Sequence, residues 1–313
     1  PKPQNPYSLK LINQIWPFFT IKGDDISINY KLILKHKIKI QLMFVPFLTR
    51  LLPNFATSKI RHMKYLVCIS KAPDTTTKIT FTDNNTKFAE SGVQFIVNPY
   101  DEWYALVRAI ELKEKNGGTV TTITVGGAEN DPIIRKALAI GADEAIRINT
   151  EAKDGITVAK ELSHVIEDKG FDLIIAGRES IDYNGGMVPG MIAALTNANF
   201  VNNCISLEID GSIVKAIREI DGGKETLETS FPLVIGGQKG LVEESDLRIP
   251  NMRGIMMARK KPLTVLDGIG ANNATCNSKY EKPAPKGNVT LVSSENIDEL
   301  INLLHNEAKV ILP

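Results

Sequence analysis

The stretch Gly177-Arg178-Glu179-Ser180-Ile181-Asp182-Tyr183-Asn184-Gly185-Gly186-Met187-Val188-Pro189-Gly190 follows a short β-forming run, Asp172–Ala176, and leads into an apolar helical pattern around Met191–Leu195. A turn of this kind can hold an anion. Its glycines let the backbone approach a phosphate, and the unpaired N–H groups and dipole at a helix start stabilise negative charge. Glycine-rich strand-to-helix turns also serve packing alone, so the residue types leave both readings open. The inventory for bond-making chemistry is thin. His164 and His305 fall on predicted helices, where each reads as a surface or core residue, and His36 and His62 fall in the opening stretch. There is no Ser/His/Asp or Cys/His grouping, no P-loop, no G-x-G-x-x-G after a strand and no His-rich metal spacing.

Three further groups carry possible function. Asn98-Pro99-Tyr100-Asp101 reads as a helix N-cap with proline at the first helical position, a common structural device. Cys68, Cys204 and Cys276 form no CxxC and suit a reducing cytoplasm; Cys68, between Val67 and Ile69, reads as a small core residue. Met252, Ile255, Met256 and Met257 lie beside Arg253, Arg259, Lys260 and Lys261, and this cluster is either core or an adaptable docking surface.

The elements that must position these residues follow from pattern. The 313 residues, 43% hydrophobic and 23% charged, can build a sizeable core without disulfides, and the mean hydropathy of -0.07 argues against a membrane-embedded protein. Residues 1–62 carry eight Lys and two Arg against Asp24 and Asp25, which makes them +8 and the rest −7 of the total +1. An acidic body excludes a nucleic-acid binder of the usual basic kind. The opening stretch has no sustained period, and its best apolar run is broken by Pro46, Arg50 and Pro53. We expect residues 1–62 to be upstream sequence translated in frame, or a disordered extension, with the native chain starting at Met63.

From Met63 the chain alternates. Lys64–Ser70 reads as a buried strand, Lys78–Asp83 and Gly92–Val97 as a hairpin, and Thr119–Val125, Glu144–Ile148 and Asp172–Ala176 as strands separated by helices. Such spacing implies right-handed crossovers and a doubly wound, mostly parallel α/β sheet, with ligands at the carboxyl ends of its strands. Beyond residue 200 come Ile205–Glu208, Ser212–Glu219 and Glu225–Ser230, with Asp221-Gly222-Gly223 as a turn, and then Leu233–Ile235. Residues 244–288 read as irregular, and Ser293–Lys309 as a terminal helix with Ile297, Leu300, Ile301 and Leu304 on one face. The expected organisation is the extension 1–62, a nucleotide-binding domain 63–243 with added hairpins, and a docking arm with a C-terminal helix over 244–313.

From Met63 to the tail these residues resemble the beta subunit of electron transfer flavoproteins. The most specific segment is Val214-Lys-Ala-Ile-Arg218-Glu-Ile-Asp221-Gly-Gly223-Lys-Glu225-Thr-Leu227-Glu-Thr-Ser-Phe-Pro232-Leu-Val-Ile235, which looks like the family signature. Asn98–Glu102, Ala137–Asp143, Gly177–Asp182 and Ile255–Lys261 match further family segments in order. The resemblance implies an adenine-nucleotide-binding fold of the universal-stress-like type and a heterodimer with a larger alpha subunit. It implies one shared FAD, held mainly by that subunit, and a structural AMP. The implied nucleotide contacts are Cys68, Asn98, Pro99, Tyr100, Asp101, Val125 and residues Gly177 through Val188. Asn98 and the backbone after Cys68 and Val125 would address the adenosine, the loop N–H groups the phosphate, and Tyr100 the flavin. Met187-Val188-Pro189 departs from the Gln-Thr or Gln-Val of many relatives, which leaves backbone N–H groups and Asn184 for the phosphate.

The resemblance further implies an electron carrier without bond chemistry of its own. It would take electrons from flavin dehydrogenases such as acyl-CoA dehydrogenases and pass them to a membrane-associated quinone oxidoreductase. Met252 would anchor the dehydrogenase beside the cations Arg259, Lys260 and Lys261. A variant with a second FAD in the AMP site and a stand-alone nucleotide-binding regulatory protein are the alternatives. A related pyrophosphatase or ligase would need a Ser-Gly-Gly loop where Ser70-Lys71-Ala72-Pro73 stands.

Overall fold

The computed structural model describes residues 62–285 and 287–311 and, earlier in the chain, the backbone of 19–22 and 25–28. The chain divides into two units, Pro1–Arg61 and His62–Pro313. In the first, strands β1 (Phe19–Lys22) and β2 (Asp25–Ile28) pair antiparallel. The expectation that 1–62 is an upstream or disordered extension otherwise lies outside the described residues.

The second unit begins with β3 (Lys64–Cys68), whose Tyr65, Leu66 and Val67 are fully buried because both faces of the strand are covered. Then come β4 (Lys71–Pro73), β5 (Phe81–Thr82), β6 (Lys87–Phe88) and β7 (Phe95–Val97). Here β4 pairs with β7 and β5 with β6, which corrects the expected pairing of Lys78–Asp83 with Gly92–Val97. The reason is local: Asp83, Asn84 and Asn85 all adopt positive φ, so the chain reverses at once and returns through Lys87 and Phe88.

Four crossover helices and the remaining strands complete the sheet. These are α1 (Glu102–Asn116), β8 (Thr119–Val125), α2 (Asp131–Ile140), β9 (Glu144–Asn149), α3 (Gly155–Lys169), β10 (Leu173–Gly177), α4 (Val188–Leu195), β11 (Asn199–Asp210), β12 (Ile213–Ile220), β13 (Gly223–Ser230) and β14 (Leu233–Gly237). After them come a short helix α5 (Met252–Ala258), β15 (Leu263–Asp267) and the tail helix α6 (Ile297–Asn302). The nine strands run in the order β13-β12-β11-β14-β10-β3-β8-β9-β15. From β11 to β15 every pair is parallel, and β12 and β13 add an antiparallel hairpin at one edge. The β-period divides the core into two layers. Tyr65 and Val67 face Leu106 of α1 and Leu138 of α2, whereas Leu66 packs with Leu162 and Ile166 of α3 and Ile192 of α4. The doubly wound α/β expectation therefore holds.

Residues 244–288, expected to be irregular, contain α5 and the ninth strand of the sheet, so the sheet continues past residue 243. A Cβ on Gly254 would lie 2.6 Å from the Ala139 carbonyl, so only glycine lets α5 press onto the end of α2. Arg135 Nη1 donates to the carbonyls of Ala258 and Lys261, 2.8 Å each, and fixes the chain entering β15. Among the described residues no helix is long and apolar enough to cross a membrane.

Candidate functional site

Strand order reverses at β3: β8 and β9 lie to one side, β10 and β14 to the other. The crevice expected at such a switch point lies outside the carboxyl ends of β3 and β10. Its walls are the residues after each strand: Ile69 and Ser70 after β3, Gly126 and Gly127 after β8, and Arg178 to Met187 after β10.

The segment 98–102 holds these walls together. Asn98 does not cap α1, contrary to expectation. The helix starts at Glu102, Asp101 precedes it without a side-chain cap bond, and the Asn98 carbonyl accepts from Trp103 N–H. The fully buried Asn98 side chain instead donates from Nδ2 to the Glu179 carbonyl at 2.9 Å and accepts at Oδ1 from Ile181 N–H at 3.2 Å. Both ends of its amide are thus engaged by the loop after β10. Asp101 Oδ2 accepts from Glu179 N–H at 3.1 Å, with Arg178 Nε 3.8 Å away. Burial raises the Asp101 carboxyl above its ordinary pKa, and the Glu179 N–H and the Arg178 charge oppose that rise. Glu102 accepts from Ser70 N–H at 2.6 Å and from the Ser70 hydroxyl at 2.7 Å. Burial pushes its carboxyl up to about 8.

The other expected site residues surround this cluster. Cys68 ends β3, and burial first, then the Glu102 carboxylate, raise its thiol pKa, so it serves the core. Val125 ends β8, half-buried, and Thr124 above it donates to the Ile69 carbonyl at 3.0 Å. Pro99 is half-buried and Tyr100 exposed. Along the loop, Gly177 is buried, Arg178 to Ile181 are half-buried, and Asp182, Tyr183, Asn184, Gly185, Gly186 and Met187 are exposed before Val188 opens α4. Arg178 also lines a cavity of about 860 Å3 with Asn202, Asn203, Gln238 and the Asp221–Gly223 turn, which links the crevice to the edge hairpin.

Sequence reasoning gave no role to Glu102 or Arg147, and reached Ser70, Gly126 and Gly127 only as the backbone after Cys68 and Val125. The glycine pair after β8 carried the same signal as Gly185-Gly186 and was legible. Arg147, buried on β9, donates to the Gly126 carbonyl at 3.1 Å and to Asn149 Oδ1 at 2.8 Å, and so fixes that turn. Glu102 carried no signal, because an acid in a first helical turn is ordinary.

The chain beyond β15 crosses the same end of the sheet. The buried Glu161 accepts from Ile269 N–H at 2.9 Å and Ala271 N–H at 3.3 Å. Asp154 caps α3 through Thr157 N–H at 2.8 Å and also accepts from Thr275 N–H at 2.7 Å. Tyr280 then stacks on Phe81, with ring centroids 5.1 Å apart. The bonds from Thr157, Thr275 and Ala274 hold the Asp154 carboxyl well below the usual carboxylate range. A depressed folded pKa means that its stabilisation is present above the unfolded value of about 3.9 and is lost as pH falls below it. Asp154→Ala should therefore speed proteolysis between residues 269 and 280 at pH 7, and the difference from the parent should shrink in acid; equal cleavage at pH 7 would rule out this tether.

Of the expected docking residues, Met252, Arg259 and Lys260 are exposed, with Met252 at 74%. Lys261 is engaged by the fold instead. Its Nζ donates to the carbonyls of Leu138 and Ala142 at the end of α2, and burial lowers its pKa.

Comparison with known proteins agrees with this arrangement. Residues 85–268 match the electron transfer flavoprotein domain. The chain is similar to the electron transfer flavoprotein subunit beta of Bacillus subtilis, 37% identical over 263 residues that cover 80% of this chain and all of that protein. The Syntrophomonas wolfei subunit beta is 35% identical over 229 residues, 72% of this chain and 88% of that one. The Dictyostelium discoideum subunit beta is 31% identical over 246 residues, 76% and 97% respectively. With a doubly wound sheet whose strand order reverses at β3 and matches of this breadth, the chain belongs to the electron transfer flavoproteins, among their beta subunits, and its role is electron transfer.

Proposed function

We propose that this chain is one half of a heterodimer with a larger alpha subunit, that it holds AMP in the crevice between β3 and β10, and that it encloses part of an FAD held mainly by that subunit. Electrons enter from flavin dehydrogenases such as acyl-CoA dehydrogenases and leave to a membrane-associated quinone oxidoreductase. The observation that carries the reading is the convergence of two glycine pairs, Gly126-Gly127 and Gly185-Gly186, at one end of the sheet where the strand order reverses.

The residues present fit a nucleoside monophosphate in a particular way. Asp101, Glu179 and Asp182 make the walls acidic, and Arg178 is paired with Asp101 and Glu179. The phosphate is therefore met by backbone N–H groups. Those of Gly185, Gly186, Met187 and Val188 form no hydrogen bond among the described residues, and they lead into α4, whose dipole favours an anion. Pro189 contributes no N–H. FAD, when bound, supplies the redox chemistry; the chain's own residues bind, enclose and exclude water, and Met252 presents the dehydrogenase anchor.

Denaturing the purified complex with its alpha subunit and quantifying the released nucleotides tests this. One FAD with one AMP is expected. Two FAD would replace the AMP assignment with a second flavin in the crevice, and adenine nucleotide on a chain that recruits no flavoprotein partner would favour a stand-alone regulatory protein.

A further inference from the structure

Glu102 is 8% exposed and opens α1, where an acid normally faces water and the helix's own N–H groups. Here it turns inward. Burying a carboxyl is unfavourable unless hydrogen bonds compensate, and the Ser70 N–H and hydroxyl supply them at 2.6 and 2.7 Å. Its neighbour Asp101 takes the Glu179 N–H on the opposite wall. Consecutive Cα atoms are held about 3.8 Å apart by the peptide bond, so these two anchors cannot move independently. Asn98 adds a link on each side: its N–H bonds the Ser70 carbonyl at 3.4 Å, and its amide bonds residues 179 and 181.

We propose that Glu102 is a positioning residue for the crevice: together with Asp101 it holds Ser70 after β3 and Glu179 after β10 at a fixed separation, so that an adenine nucleotide enters between loops already in place. The proposal rests on the nucleotide reading above for its ligand but not for its geometry. Preorganised loops leave less ordering entropy to be lost on binding.

The protonation of Glu102 gives the proposal its signature. Burial is the main cause that raises its pKa to about 8, the Ser70 bonds oppose it, and Asp182 from the loop and the adjacent Asp101, which precedes the helix, reinforce it. The Cys68 thiol faces it from β3, its own pKa raised by burial, and Arg178 is turned to Asp101 and Glu179. The folded pKa lies above the unfolded value of about 4.3. Stability from this group is thus full below that value and lost as pH rises through about 8. Over the same upper limb a negative charge appears beneath the crevice and opposes a phosphate. Glutamine stays neutral, can accept the Ser70 N–H and can donate to the Ser70 hydroxyl oxygen.

The test uses the full chain with its alpha subunit, AMP as the probe, and amide exchange resolved at Ser70 and Glu179. Glu102→Ala should weaken AMP binding at least tenfold and speed Ser70 exchange tenfold or more, whereas Asp101→Ala should speed exchange at Glu179. Glu102→Gln should restore both to within about threefold of the parent and remove the fall in AMP affinity above pH 8. Unchanged Ser70 exchange in Glu102→Ala, or a Gln variant as impaired as the Ala variant, would overturn the proposal. If Glu102→Ala does not assemble, a pH profile in Glu102→Gln that still falls above pH 8 overturns it. A parent complex that binds no AMP defeats the nucleotide reading alone, and the exchange data then decide the positioning role.

Discussion

Gly177→Val should lower the melting temperature of the protein by about 2–12 °C and, on the nucleotide reading proposed above, empty the crevice of AMP. A Cβ at this position would lie 2.8 Å from Glu102 Cγ, 2.9 Å from Asp101 Cβ and 3.3 Å from the Glu102 nitrogen. None of these atoms is the free end of a long side chain. All belong to the start of α1, which the Ser70 and Glu179 hydrogen bonds already hold. Relief must therefore come from moving α1 away from β10, and overpacking of this kind costs about 1–3 kcal/mol. In a unit of this size each kcal/mol shifts the midpoint by about 2–4 °C. Gly223→Ala is the control, because a Cβ there meets nothing within 4 Å. A thermal scan and a nucleotide assay on both variants check the prediction, and a Gly177 variant indistinguishable from the control would refute the close approach.

Met252→Ala should slow reduction of the complex by an acyl-CoA dehydrogenase by about tenfold or more while its FAD and AMP content stays that of the parent. The side chain is exposed because α5 presents it outward, and α5 is held by Gly254 against α2 and by Asn251, whose side chain accepts from Gly254 N–H at 2.7 Å. An anchor on a fixed helix loses little freedom on binding, and truncating a central anchor typically costs about 2 kcal/mol or more. Arg259 and Lys260, exposed, follow the end of α5, and their loss should chiefly reduce the salt dependence of the encounter rate. Stopped-flow reduction at two ionic strengths separates the two effects. A rate unchanged in Met252→Ala would remove the anchor from this residue.

Much of the fold was legible in the sequence because burial leaves a local imprint. Tyr65-Leu66-Val67 and Leu173-Ile174-Ile175 are apolar without alternation, since the sheet is covered on both faces, and that pattern marked the first as a buried central strand and the second as a strand. The spacing of strands and helices gave the parallel, doubly wound arrangement, and the glycines of 177–190 gave the end of the sheet where a ligand would lie. Leu263–Asp267 escaped this reasoning. It is an edge strand with Thr264 and Val265 exposed, and so carries no clear period; only its pairing with β9 reveals it.

The sequence by itself therefore determined most of the strands and helices between residues 64 and 237 and how they cross over, because these depend on periodicities of a few residues. What only the tertiary structure decided is the employment of individual polar side chains. Asn98 binds a loop 81 residues away, Glu102 turns to Ser70 across 32, and Lys261 closes α2 across more than a hundred. Hydrogen-bond partners are set by distance in space, and the order of strands in the sheet, which no local pattern records, is what brings these residues together.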